Sequence, residues 1–246
     1  MPTAHTVKAY DEELARLSRD VLAMGGLVEN QLATAIQALV RRDAELAGRV
    51  IADDEKTDAM EQRIDEQVTR ILALRQPMAE DLRLVKTALR MASDLERMGD
   101  LAANTAKRTR ALTQGDPAAP RAAVVRMAEA VQAMTKDVLD AFARRDVDKA
   151  MAVRRRDGEV DEMYNGVFRA LVAYMTEDAA HVTPCTHMLF VAKNIERIGD
   201  HATNLAEMVT YLIRGTTPTE QRPKGDTTST FVPVPGRPAP GRTEGP

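Results

Sequence analysis

Leu95-Glu96-Arg97-Met98-Gly99-Asp100-Leu101-Ala102-Ala103-Asn104 returns one hundred residues later as Ile195-Glu196-Arg197-Ile198-Gly199-Asp200-His201-Ala202-Thr203-Asn204. Over the wider windows Asp94–Ala106 and Asn194–Ala206, seven of thirteen positions are identical. Gly and Asn are among the matches, and shared helical composition alone does not put them in register. The chain is therefore read as an internal duplication. Upstream, an offset of 103 pairs Arg41-Arg42-Asp43 with Arg144-Arg145-Asp146, Ala47 with Ala150, Val50 with Val153 and Met60 with Met163. It also pairs Asp54 with Asp157 and Asp58 with Asp161.

Working outward, apolar residues recur at helical spacing from Asp11 to about Arg42 (Leu14, Leu17, Val21, Met24, Val28, Leu32, Ala35, Leu39). Gly25-Gly26 is a place where this helix can bend. Asp43 is a natural N-cap for a second helix to about Leu74, and Gln76-Pro77 breaks the pattern. A third helix follows from about Ala79 to Leu112. Gly115, Asp116, Pro117 and Pro120 punctuate the chain, and three more helices are expected over 121–144, 147–175 and about 183–214. Thr183-Pro184 supplies the last of these with a cap and a first-turn proline. The expected organisation is a flexible arm at 1–10, a three-helix unit at 11–113 and a linker at 114–120. A second three-helix unit at 121–214 and a disordered Pro/Gly/Thr-rich tail at 215–246 complete it. The fold class is all-α, two tandem three-helix bundles with pseudo-two-fold internal symmetry.

Composition agrees. Aromatic residues make up 3% of the chain and Trp is absent, while helix formers dominate. With 34 basic and 37 acidic residues and a net charge of −3, nothing points to nucleic acid. The single Cys185 excludes an intrachain disulfide and reads as packing. No apolar run reaches the ~18 residues of a membrane span, and Met1 to Glu13 lacks a signal-peptide core. The cytoplasm is the expected compartment.

The duplicated carboxylates carry the chemistry. Each repeat holds two acidic pairs four residues apart: Asp54/Asp58 and Glu96/Asp100, then Asp157/Asp161 and Glu196/Asp200. Residues at that spacing share a helix face, and like charges there repel. Asp58 lies 19 residues before Pro77 and Glu96 lies 19 after it, so an antiparallel hairpin brings them level. In the second repeat the midpoint of Asp161 and Glu196 falls in the expected turn at 178–179. Four carboxylates at one level suit a hard or borderline cation (Mg²⁺, Mn²⁺, Fe or Zn²⁺). The competing reading is a solvated face neutralised by Arg97 and Arg197. Gly99 and Gly199 each cost a helix interior about 1 kcal/mol relative to Ala, which signals close approach of a neighbouring helix or a cation. Asn104 and Asn204 either orient ligands or bond across helices. His201 faces Leu101 in the repeat alignment and reads as an outer or surface group. Arg154-Arg155-Arg156 reads as solvated surface. No phosphate-binding glycine loop, nucleophile triad or Cys/His zinc spacing is present.

The two signature stretches resemble the tandem E(D)xxxD motifs of the PhoU family, over about residues 8–214. That resemblance implies two three-helix bundles side by side and metal ions held by the motif carboxylates. Carried over by position, the ligands are Asp58, Glu96, Asp100, Asp161, Glu196 and Asp200, with Asp54 and Asp157 as further members. It also implies a negative regulator of phosphate uptake and phosphate-starvation signalling, touching the phosphate ABC transporter's ATPase and a sensor histidine kinase, and forming a homodimer. The long tail departs from the family. Two rivals stand beside this reading: a carboxylate-bridged dimetal enzyme, and a metal-free helical scaffold. The enzyme ordinarily needs Glu-x-x-His pairs, and Gly99 and Gly199 occupy the histidine positions.

Overall fold

The structure, a computed structural model, describes residues 4–113, 121–219 and 225–230. Its helices are α1 (Ala4–Arg41), α2 (Ala44–Arg75), α3 (Ala79–Leu112), α4 (Arg121–Arg144), α5 (Val147–Arg155), α6 (Asp157–Met175) and α7 (Val182–Arg214). Short 3₁₀ turns cover Ala179–His181 and Thr228–Thr230, and no strand occurs among the described residues. None of these helices is long and apolar enough to cross a membrane.

Helices α1, α2 and α3 pack on one another as one bundle, and α4, α5, α6 and α7 as the other. The bundles meet where α3 lies along α7 and α1 along α4. One apolar core runs through both, from Leu14 to Leu212, so the repeats are fused rather than strung. Helices α3 and α7 are antiparallel. Arg83 Nε donates to Leu212 O at 3.1 Å, His201 Nδ1 lies 2.9 Å from Asp94 Oδ1, and Arg108 sits over the Phe190 ring.

The duplication extends to the backbone. Arg42 (φ 56°) and Arg145 (φ 54°) are both left-handed, and the following Asp43 and Asp146 are extended with nearly equal angles. Asp43 N donates to Ala38 O and Asp146 N to Ala141 O, closing the preceding helix in the same way. Each aspartate then caps the next helix: Asp43 accepts from Glu45 N and Leu46 N, Asp146 from Lys149 N.

Four expectations need correction. Residues 4–10 are helical rather than a flexible arm, because Tyr10 packs against the core and its hydroxyl donates to Asp81 Oδ2 at 3.1 Å. The helix expected over 147–175 is broken at Arg156, whose N–H bonds back to Val153 O. Its guanidinium reaches Asp137 Oδ2 and Ala130 O on α4. Helix α7 begins at Val182, led in by the 3₁₀ turn, so Thr183 is not its cap. Within the tail, Gly225–Thr230 is ordered against the second bundle, as described below. The expected linker at 114–120 and most of the tail lie outside the described residues. Gly25 lies within the continuous α1, where a Cβ would meet Leu139 Cδ2 on α4.

Candidate carboxylate sites

In the first repeat, α2 and α3 bring their acidic pairs within electrostatic reach, as the hairpin arithmetic expects. Burial raises the Asp54 carboxyl above its ordinary value, and the negative charges of Asp100 and Asp58 raise it further. Glu96 is likewise raised, by burial first and then by Asp100, with Arg97 opposing and Asp58 and Glu61 adding to the rise. Asp54 Oδ1 is buried without a hydrogen-bond partner. Asp58 is exposed and Asp100 partly exposed. The exposed Arg97 lies 3.6 Å from Glu96 and 4.0 Å from Asp100, and the Lys107 charge opposes the rise at Asp54.

Beneath this level lie two residues that the sequence reading missed. Thr57 Oγ1 donates to Gln31 Oε1 at 3.1 Å, both side chains being buried. A Cβ on Gly99 would stand 3.0 Å from Thr57 Cγ2 and 3.2 Å from Gln31 Oε1. The closely approaching group is therefore a pair of side chains from α1 and α2. At Gly199 a Cβ would meet Val131 and Val160 at an ordinary 3.4 Å.

The second repeat is built differently. Glu196 is 4% exposed and raised by burial, which outweighs the opposing Lys193 ammonium; Asp200 and Asp226 add to the rise. Lys193 Nζ donates to Glu196 Oε1 and to Asp226 Oδ2, both at 2.9 Å. Burial pulls the Lys193 ammonium down, but these two acceptors outweigh it and it stays charged. Glu196 Oε2 is buried without a partner. Asp157 accepts from Thr203 Oγ1 at 3.1 Å, and Asp161 accepts from Gly225 N at 2.7 Å. Lys193 stands where the first repeat has Ser93, three residues before Glu196. That i, i+3 spacing is itself a readable ion-pair signal.

The remaining candidates have contacts of their own. Asn104 is exposed beside Lys107, and Asn204 lies at the α3–α7 seam near Asp94. His201 bonds Asp94 across that seam and joins the two bundles instead of approaching a carboxylate level. Cys185 is fully buried and burial pushes its thiol up, as packing requires. Arg154 is not solvated surface: it is 4% exposed and its Nε donates to Glu207 at 2.9 Å.

The chemistry of the donor set fits a divalent cation by charge. Buried carboxylate oxygens without a partner carry an unmet demand for positive charge. No three His, Cys, Asp or Glu side chains among the described residues are already gathered as a coordination group. An ion would therefore have to draw them together.

The PhoU domain family model matches residues 21–109 and again 124–209. The chain belongs to the PhoU family. It is 50% identical over 228 residues to the phosphate-specific transport system accessory protein PhoU homolog of Caulobacter vibrioides, covering 92% of this chain and 99% of that one. With the PhoU homolog of Rhizobium meliloti it shares 48% over 232 residues, 94% of this chain and 98% of the other. The crystal structure of Pseudomonas aeruginosa PhoU superposes with a TM-score of 0.80 at 42% identity, covering 84% of this chain and all of that one. Streptococcus pneumoniae PhoU gives 0.80 at 28% identity, over 86% and 100%. The six-helix duplicated architecture is thus the PhoU fold, with the fifth helix broken here at Arg156.

Proposed function

We propose that this protein is a negative regulator of phosphate uptake and phosphate-starvation signalling. It acts as a metal-binding adaptor between the phosphate ABC transporter's ATPase and a sensor histidine kinase, in the cytoplasm and as a homodimer. The observation that carries the reading is the pair of PhoU domains along the chain, shared at about half identity with accessory proteins of phosphate-specific transport systems. Those relatives bear the names of accessory proteins rather than of catalysts. An exposed apolar series, Leu72, Leu74, Met78 and Leu82, surrounds the α2–α3 turn and supports a protein-binding role.

In this reading Asp54, Asp58, Glu96 and Asp100 hold a cation in the first repeat, and Asp157, Asp161, Glu196 and Asp200 are their counterparts in the second. Such an ion supplies positive charge that screens the carboxylates from one another and ties α2 to α3. Arg97 balances part of the charge at the rim, and the Thr57–Gln31 bond keeps the floor of the site rigid.

The test is binding of the purified full chain to the transporter ATPase and to the kinase's cytoplasmic part, by calorimetry, with and without Mn²⁺. Elemental analysis of wild type and of the Glu96→Ala/Glu196→Ala double variant runs alongside. Binding to either partner, and metal lost in the double variant, is the expected result. No binding under either condition sinks the adaptor role, and unchanged metal content sinks the ligand assignment.

A further inference from the structure

Gly225, Asp226, Thr227 and Thr228 lie on α6 and α7 through contacts that read a peptide backbone. Asn165 uses both ends of its amide: Nδ2 donates to Gly225 O at 2.7 Å, and Oδ1 accepts from Thr227 N at 3.1 Å. Gly225 N donates to Asp161 Oδ2 at 2.7 Å. Lys193 bridges Asp226 and Glu196 and lies 4.9 Å from the centre of the Tyr164 ring. Asp226 Oδ1 accepts from Thr228 N at 2.9 Å and from its hydroxyl at 2.7 Å, folding the segment into a tight turn. The fit at 225 is close: a Cβ there would stand 3.2 Å from Asp161 Cβ. The repeat equivalents of Asn165 and Lys193 are Gln62 and Ser93, and no segment covers the first acidic level among the described residues.

We propose that Asp161, Tyr164, Asn165 and Lys193 form a peptide-docking site for the chain's own segment Gly225–Thr230, and that the docked segment keeps cations off the second acidic level. Three of the segment's polar contacts with the helices go to its main chain, so register is set by the backbone. Docking occupies one oxygen of Asp161 and holds the Lys193 ammonium between Asp226 and Glu196, and a cation would need both Asp161 and Glu196. The duplicated sites are therefore unequal: the first is open to an ion, and the second opens only when the tail leaves. The exclusion half of this proposal rests on the cation reading above; the docking half does not.

The experiment uses the full chain and three variants, Asn165→Ala, Gly225→Pro and Gly225→Pro/Glu196→Ala. Hydrogen exchange followed by mass spectrometry reads the tail. Protection over 225–230 in wild type, lost in Asn165→Ala and Gly225→Pro, is expected; exchange as fast as a free peptide in wild type overturns docking. Mn²⁺ titration reads the acidic levels. Gly225→Pro should tighten the weaker Mn²⁺ event about tenfold, the factor expected for an occupant in place roughly nine-tenths of the time. Adding Glu196→Ala should abolish that gain. A weaker event unchanged in Gly225→Pro overturns exclusion. No Mn²⁺ binding in any protein overturns the cation reading and exclusion with it, leaving docking to be judged by exchange alone.

Discussion

Gly99→Ala and Gly199→Ala add the same methyl group at duplicated positions, yet their surroundings dictate opposite outcomes. In a helix interior either change gains about 1 kcal/mol of helix propensity. At Gly199 the new Cβ meets Val131 and Val160 at 3.4 Å, an ordinary packing distance, so the gain survives. At Gly99 it meets Thr57 Cγ2 at 3.0 Å and Gln31 Oε1 at 3.2 Å. Both neighbours are buried and bonded to each other, so neither can swing away freely. Overpacking of this kind costs about 1–3 kcal/mol, and a displaced Gln31 forfeits a buried hydrogen bond of about 1 kcal/mol. Gly199→Ala is therefore expected to be stabilised by about 1 kcal/mol and Gly99→Ala destabilised by about 1–3 kcal/mol. Urea unfolding of chelator-treated protein measures both, with an unchanged denaturant slope certifying that stability alone moved. Equal shifts of the same sign would refute the claim that the first glycine is held by side-chain crowding and the second is not.

Three further outcomes are expected. Asp54 and Glu96 bind their protons more tightly folded than unfolded; stability is then full below the ordinary carboxyl range and falls as pH rises through the raised folded values. In chelator, Asp54→Asn should melt higher than wild type at pH 7.5 with the gap closing toward pH 4, and a pH-independent gap contradicts this. Asp146→Ala, which removes the acceptor for Lys149 N at 2.9 Å, should lose about 1 kcal/mol in thermal unfolding; an unshifted midpoint would mean the cap is idle. Leu95→Ala empties a fully buried position on α3 and should cost about 2–5 kcal/mol by denaturant titration.

Sequence alone placed what depends on local pattern. The helices follow from apolar spacing, the Asp43 cap from its position, and the level of Glu96 with Asp58 from equal distances about Pro77. What escaped depends on contacts far along the chain. The break at Arg156 is pinned by Asp137 and Ala130 on α4, and nothing within 147–175 announces it except Gly158. Gln31 and Thr57 come from two helices, and only their packing explains Gly99. The tail reads as disordered because it has almost no apolar content, and composition is blind to a segment held by hydrogen bonds to Asn165 and Asp161. Lys193 was legible, since its spacing to Glu196 is a local rule.

The interruption at Arg156 means that the two halves carry their acidic pairs on helices of different construction. Helix α2 runs unbroken from Ala44 to Arg75 and carries Asp54 and Asp58 on one stiff strut. The corresponding strut of the second half is interrupted one residue before Asp157, and the interruption is fastened to Asp137 and Ala130 on α4. Asp157 and Asp161 thus stand on a helix of their own, separate from Val147–Arg155, whereas Asp54 and Asp58 share one continuous helix with the Asp43 cap.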